Sequence, residues 1–209
     1  MARHGLFYDF ESTDKIEFGL PSDDPVHPHI IQCAGKLINL DTRDCVASFS
    51  VYALQGDWPM SPGALETHGI TRDKANALGF LEEEVAMWLY DLWLRSVVRI
   101  AHNEKFDARM MRIALKRYHD HKDFSYSDQW KEGKSECTMM MSTDICKLPS
   151  PRGGYKWPKL TEAYEHFTGR KLENAHDAMA DVDACIEIYF IMKDAEAAQG
   201  KSAAGAFFG

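Results

Sequence analysis

Apolar residues run almost unbroken through Gly5-Leu6-Phe7-Tyr8-Asp9-Phe10-Glu11, the pattern of a strand covered on both faces over residues 5 to 11. A polar connection follows from Ser12 to Pro28, punctuated by Gly19, Pro21, Pro25 and Pro28. Residues 30 to 40 and 45 to 54 read as two further strands joined by the turn-like Asp41-Thr42-Arg43-Asp44, which makes an antiparallel meander. Past the Gly/Pro stretch of residues 56 to 63, Thr71 is placed to cap a short helix ending near Gly79. Leu81, Val85, Trp88, Leu89 and Leu92 then recur at helical spacing, and Glu82 to Glu84 fall near the positive end of that helix dipole.

Val97 to Ala101 is the next strand, and Asn103 stands at the cap position of a helix over residues 104 to 118. The remaining chain reads as a polar segment (119 to 135), a short strand near Cys137, a Pro/Gly-rich loop (148 to 158), a helix over 160 to 167 and a last helix over 178 to 198. Strands first, then strands alternating with helices, predict an α/β fold with a mixed central sheet flanked by helices.

At 209 residues the chain suits one domain, expected over 1–198, with 199–209 as a flexible tail whose Phe207-Phe208 pair is a possible docking peptide. No apolar run reaches membrane-spanning length and no signal-peptide layout opens the sequence, so a soluble, cytoplasmic protein without membrane association is expected. Five scattered cysteines, none in a C-x-x-C pair, read as reduced thiols rather than zinc ligands. His27 and His29, in a Pro/Asp stretch, read as solvated loop residues. The net charge of −8 argues against an all-basic nucleic-acid surface, but it leaves room for acids neutralised by metal beside a local basic strip.

Such acids are present. Asp9 and Glu11 lie two residues apart on a strand and therefore project from one face, where two anions repel unless a cation joins them. Asp107 falls in the first turn of the helix after the fourth strand, close to the sheet edge where Asp9 and Glu11 end. In Ala175-His176-Asp177-Ala178-Met179-Ala180-Asp181, an imidazole on the lead-in loop precedes an acid at the start of the last helix; the acid suits a metal and the imidazole suits proton transfer. Asp177, Asp183 and Glu104 flank these positions and read as caps, dipole partners or solvated acids.

Asp9-x-Glu11, Asn103-x-x-Phe106-Asp107 and His176-x4-Asp181 together resemble, in order, the three motifs of the DEDD superfamily of 3′-to-5′ exonucleases in its histidine-bearing branch. The likeness extends to His68-Gly69-Ile70, Cys137-Thr138-Met139 and Lys159-Leu160, and so covers nearly the whole chain. A tyrosine-bearing relative would place tyrosine where Asp177 stands. The resemblance implies a ribonuclease-H-like fold and two ions, Mg²⁺ or Mn²⁺, with Asp9, Glu11 and Asp181 on the first, Asp9 also facing the second, and Asp107 acting directly or through water. It makes His176 the general base, since an imidazole of pKa about 6.5 is poised near neutral pH. The expected product is a nucleoside 5′-monophosphate.

By the same resemblance the backbone around Ser12 and Thr13, with His68 and Asn103, lies near the terminal nucleotide, and Phe106 helps form its pocket; Phe106 also shares a helical stripe with Met110 and Ile113, as a core residue would. Likeness to polymerase proofreading subunits favours single-stranded or frayed DNA and a polymerase or replication partner, although relatives such as ribonuclease T and oligoribonuclease cut RNA. A non-catalytic module that holds a 3′ end is the alternative, and its expected mark, a missing acid or histidine, is absent. Arg109, Arg112, Lys116 and Arg117 form a basic run that suits a solvated helix face nearly as well as a phosphate contact. Arg152, Lys156 and Lys159 around Tyr155 and Trp157 better match the cation-plus-aromatic composition of single-strand binding.

Overall fold

The computed structural model describes residues 2–205, with side chains to residue 199. Its strands are β1 (His4–Ser12), β2 (Ile30–Asn39), β3 (Cys45–Tyr52), β4 (Val98–Ala101) and β5 (Ser135–Cys137). Its helices are α1 (Pro62–His68), α2 (Arg72–Leu78), α3 (Glu82–Trp93), α4 (Glu104–Tyr118), α5 (Tyr126–Glu132), α6 (Thr138–Cys146), α7 (Leu160–Thr168) and α8 (Ala178–Gly205). The sheet order is β3-β2-β1-β4-β5. The first three strands form the expected antiparallel meander, whereas β4 joins β1 and β5 joins β4 in parallel, giving the mixed sheet of a ribonuclease-H-like fold.

Because successive side chains on β1 alternate, the strand serves two cores at once. Leu6, Tyr8 and Phe10 enter the layer made with Val85 and Leu89 of α3, Met110 and Ile113 of α4, and Trp130 of α5. Phe7 enters the opposite layer with Ala178, Val182, Cys185 and Tyr189 of α8. Its ring meets Tyr189 edge-on at 5.2 Å. A second set, including Cys146, Tyr164 and Ile188, packs α6 and α7 onto α8. Each fully buried large side chain of this kind contributes about 1.5–3 kcal/mol relative to exposure.

Several short helices depart from the sequence expectation. Helix α1 begins in the stretch read as breakers, because Ser61 accepts the Ala64 N–H at 3.2 Å and Pro62 fills a first-turn position where its missing N–H costs nothing. Helix α5 lies in the segment read as polar; Ser125 caps it and the buried Trp130 anchors it. Helix α6 follows Cys137 directly. The last helix continues beyond Ala198 to Gly205, and the Phe207-Phe208 pair lies outside the described residues. Thr71 does cap α2, accepting the Lys74 N–H, and Gly79 ends it. Asn103 occupies the cap position of α4 in a left-handed conformation (φ 66°), but its side chain makes no capping bond.

The polar connection after β1 is largely exposed but is held at its far end. His27 is buried, its Nε2 2.7 Å from the Pro21 carbonyl, and His29 stacks on Trp58 with ring centroids 3.8 Å apart. Both histidines therefore differ from the solvated reading. The organising group is Glu82, which is buried and accepts from the Ile30 N–H (2.8 Å) and the Tyr118 hydroxyl (2.7 Å), and lies 2.6 Å from His29 Nδ1. Arg117 pairs with Glu82 and donates to the carbonyls of His27 and Pro28, while Arg109 donates to that of Leu20. These two members of the basic run thus fasten residues 20–28 to α4. Glu104 is likewise a buried anion, bonded to Arg99 (2.7 Å) and Tyr8 (3.2 Å), instead of a solvated one. Leaving such buried charges unpaired would cost several kcal/mol, so the pairs specify the register of these segments.

Candidate active site

The sheet topology gathers the motif residues. Strands β1 and β4 are parallel and their pairing ends at Phe7–Ile100, so Asp9 and Glu11 leave the sheet at the same edge from which the chain enters α4 through Asn103. Beyond that last pair the Phe10 N–H has no β4 partner, and it donates to Asp107 Oδ1 at 3.2 Å. Asp107, 2% exposed, is thereby fixed at the tip of β1 from the first turn of α4. Phe7 packs against α8, so the other odd-numbered residues of β1, Asp9 and Glu11, point toward the layer whose helix carries Asp181 in its first turn.

The start of α8 is set by a residue that the sequence motifs do not contain. Gln32, buried on β2, stands opposite Glu11 in the strand register. Its side-chain carbonyl accepts the Ala178 N–H at 3.2 Å, and its amide donates to Asp177 Oδ2 at 3.1 Å. Asp177 in turn accepts from the Met179 and Ala180 N–H groups, which is the capping role expected of it. The available sequence signal for Gln32 is a lone amide within the apolar run Ile30-Ile31-Gln32-Cys33-Ala34. Just before the helix, His176 adopts a left-handed backbone (φ 71°) and its N–H donates to Asp181 Oδ2 at 3.2 Å. The side chain is exposed, and ligand atoms of Glu11, His176 and Asp181 all lie within 4.8 Å of one another.

Electrostatically the site is a concentrated negative charge that the protein itself does not compensate. Burial first, and then the charges of Asp181 and Asp177, hold Asp9 well above the ordinary carboxylate range. Burial together with Asp9, Asp181 and Asp177 pushes Glu11 to about 9. Burial and Asp9 raise Asp107 against the opposing Phe10 N–H, and burial raises Asp181 to about 6 against the His176 N–H. None of the ion pairs among the described residues includes Asp9, Glu11, Asp107 or Asp181. Asp9 Oδ2 and Asp181 Oδ1 are buried with no hydrogen-bond partner. Buried oxygens left bare within one group of mutually repelling acids, together with the Glu11, His176 and Asp181 ligand atoms, fit a divalent cation.

A stability prediction follows. Between the ordinary Glu11 value of 4.5 and its folded value of about 9, the folded protein holds more protons than the unfolded chain. Stability is therefore fully present at low pH and falls as pH rises through that window. In EDTA, Tm is expected to drop by several degrees between pH 5 and pH 9, at about 2–4 °C per kcal/mol for a chain of this size. Saturating Mg²⁺ removes most of the drop. Calorimetric scans giving parallel pH profiles with and without Mg²⁺ would contradict the cation site.

Beside the acids lies an open cavity of about 690 Å³, lined in part by Phe10, Glu11, Ser12, Ser61, His68 and Phe106. His68 Nδ1 accepts the Ile70 N–H at 2.9 Å, which puts the ring proton on Nε2; that atom is buried and lacks a partner. Burial lowers the His68 pKa, against a hydrogen bond to the Ser12 backbone. Ser12 and Phe106 thus share one cavity with His68. Thr13 is turned inward, its hydroxyl accepting from His29 and its carbonyl from Ser61, and Asn103 is not among the lining residues.

Comparison with known proteins gives a consistent family. A family model described as "Exonuclease", RNase_T, matches residues 6–189. Exodeoxyribonuclease I of Escherichia coli K12 is 29% identical over 148 residues, 66% of this chain and 30% of that protein. Its Haemophilus influenzae counterpart is 28% identical over 207 residues, 90% of this chain and 40% of that protein. Among solved structures, E. coli Exonuclease I in complex with a dT13 oligonucleotide aligns with a TM-score of 0.68 at 22% identity, covering 91% of this chain and 41% of that one. The chain spans less than half the length of these relatives.

Proposed function

Since the chain belongs to the RNase_T exonuclease family, we propose that it is a metal-dependent 3′-to-5′ exonuclease that releases nucleoside 5′-monophosphates from single-stranded or frayed DNA ends. The observation that carries this reading is the convergence, at one edge of the sheet, of four buried or partly buried carboxylates and an exposed histidine, with two carboxylate oxygens left bare. The preference for DNA is supported by the curated relatives, which are exodeoxyribonucleases, and by solved relatives described in complex with DNA oligonucleotides.

In this reading Asp9, Glu11 and Asp181 hold one divalent ion, and Asp9 with Asp107 serves a second. The pair of ions, when bound, neutralises the phosphate and stabilises charge on the attacking and leaving oxygens of an in-line displacement. His176, exposed beside Glu11 and Asp181, accepts the proton of the attacking water. The His68 imidazole and the Ser12 backbone meet the terminal nucleotide, Phe106 walls its base or sugar, and Asn103, whose side chain makes no capping bond, completes the contacts. Asp107 is placed by the Phe10 N–H rather than by substrate, so its geometry is set before substrate arrives.

The test is a time course with purified protein, Mg²⁺ or Mn²⁺, and matched single-stranded DNA and RNA labelled at the 5′ end. Stepwise shortening, abolished by EDTA and faster on DNA, with mononucleotide products, is expected. Internal fragments, or tight binding of the 3′ end with no cleavage of either strand, would overturn it, the latter in favour of a binding module.

A further inference from the structure

The loop between α6 and α7 folds into a small hairpin, closed by the Pro149–Tyr155 bridge and by the Lys156 N–H on the Leu148 carbonyl at 2.9 Å. Gly153 and Gly154, at φ 87° and 71°, make the turn that other residues adopt only with strain. Two large aromatics on this hairpin and its outgoing strand face solvent: Trp157 is 63% exposed and Tyr155 47%. Exposing both side by side forfeits burial worth a few kcal/mol, yet neither is used by the core or by the site described above.

The base of the hairpin is not loose. Pro158 is buried, and its carbonyl lies 3.0 Å from His102 Nε2. A carbonyl only accepts, so Nε2 carries the proton and Nδ1 accepts from the Thr138 hydroxyl at 3.0 Å. Burial depresses the His102 pKa to about 4, which keeps that neutral arrangement through the physiological range. His102 directly follows β4 and precedes Asn103. The base of the hairpin is therefore hooked, through His102, to the C-terminal end of β4, the strand next to β1.

The charges around the aromatics complete the pattern. Arg152 and Lys159 are exposed and enter no ion pair among the described residues, whereas Lys156 is balanced by Glu162. Against a net charge of −8, the three cations Arg152, Lys156 and Lys159 face one neighbouring acid, Glu162, and flank two exposed rings, which makes a local positive, stacking surface. We infer that the 149–157 hairpin is a platform on which bases upstream of the 3′ end of a single DNA strand stack on Trp157 and Tyr155, with Arg152 and Lys159 on the neighbouring phosphates. His102 is its positioning residue, fixing the platform relative to the acid cluster. The inference rests on the exonuclease reading for the direction of the strand, while strand binding itself is measurable without turnover.

The experiment uses the full chain carrying Asp9→Ala, in EDTA, so that no cleavage occurs. Tryptophan fluorescence is followed during titration with an oligo-dT twelve-mer and with thymidine 5′-monophosphate. The twelve-mer is expected to quench the signal; Trp157→Ala removes the quench and weakens binding about 5- to 150-fold by anisotropy of a labelled strand, while Trp157→Phe keeps most of the affinity. In the chain with Asp9 intact and Mg²⁺ present, Trp157→Ala is expected to raise KM for the twelve-mer and to leave hydrolysis of thymidine 5′-p-nitrophenyl phosphate unchanged. Equal twelve-mer affinity in parent and Trp157→Ala overturns the platform, as does an equal loss on both substrates, which would mark the hairpin as structural support. Failure to hydrolyse either substrate despite quenching would count against the exonuclease reading and leave the platform standing.

Discussion

Asp9→Ala is expected to lower the rate of 3′-end shortening by about a thousandfold or more, since in the proposed two-ion arrangement this carboxylate is shared between the ions and supports several kcal/mol of transition-state stabilisation at 1.36 kcal/mol per tenfold. The loss is expected without unfolding. Asp9 is repelled by Asp181 and Asp177 and one of its oxygens has no partner, so replacing it removes an unfavourable charge from the metal-free protein. Asp9→Asn, which keeps the side-chain shape, is therefore expected to raise Tm in EDTA while abolishing most of the Mg²⁺-induced increase. Activity and stability then move in opposite directions, which a merely structural residue would not do. Near-normal turnover in purified Asp9→Ala protein, or a fall in metal-free Tm for Asp9→Asn, would refute the role given to this carboxylate.

His176→Ala is the second large effect, with kcat expected to fall about 10²- to 10⁴-fold, the usual contribution of a positioned base. The geometry makes a sharper test possible. The imidazole lies within 4.8 Å of ligand atoms on Glu11 and Asp181, close enough to be a metal ligand itself. A base and a ligand leave different marks: loss of the base lowers kcat and leaves the half-saturating Mg²⁺ concentration in place. Loss of a ligand raises that concentration severalfold, and excess Mg²⁺ then restores the rate. The expected result is the first pattern, with partial rescue by added imidazole. Full restoration by Mg²⁺ alone would reassign His176 to the metal.

How much of this was legible from the chain follows from the range of the interactions involved. Asp9-x-Glu11, Asp107 and His176-x4-Asp181 are read locally, because each motif couples an acid to the end of an element whose periodicity is visible in a few residues. The strands of the meander and helices α2, α3 and α4 were equally local. Gln32 was not, because its importance arises from standing opposite Glu11 across a register and reaching the N-terminus of α8, 146 residues away. Glu82 looks like one of three dipole-favouring acids, and nothing in its neighbours announces that Ile30, His29, Arg117 and Tyr118 will surround it. His27 and His29 were misplaced for the same reason: a polar, proline-rich segment reads as solvent-facing until the arginines that cover it are known. Helices α1, α5 and α6 escaped because seven to nine residues give periodicity too little length by itself, and they begin inside a Gly/Pro stretch, a polar segment and directly after a strand, where no cap such as that of Thr71 was read.

The fastening of residues 20–28 by Arg109, Arg117 and Glu82 bears on how an incoming strand is met. Ser12 and Thr13 are tied at one end to β1 and at the other, through Thr13 and His29, to that fastened segment. The entropy of ordering this rim is spent when the chain folds, so a ligand entering the cavity meets a surface already in its receiving shape. Under the proposed function, binding energy that a looser rim would consume in settling is left for holding the scissile phosphate in line.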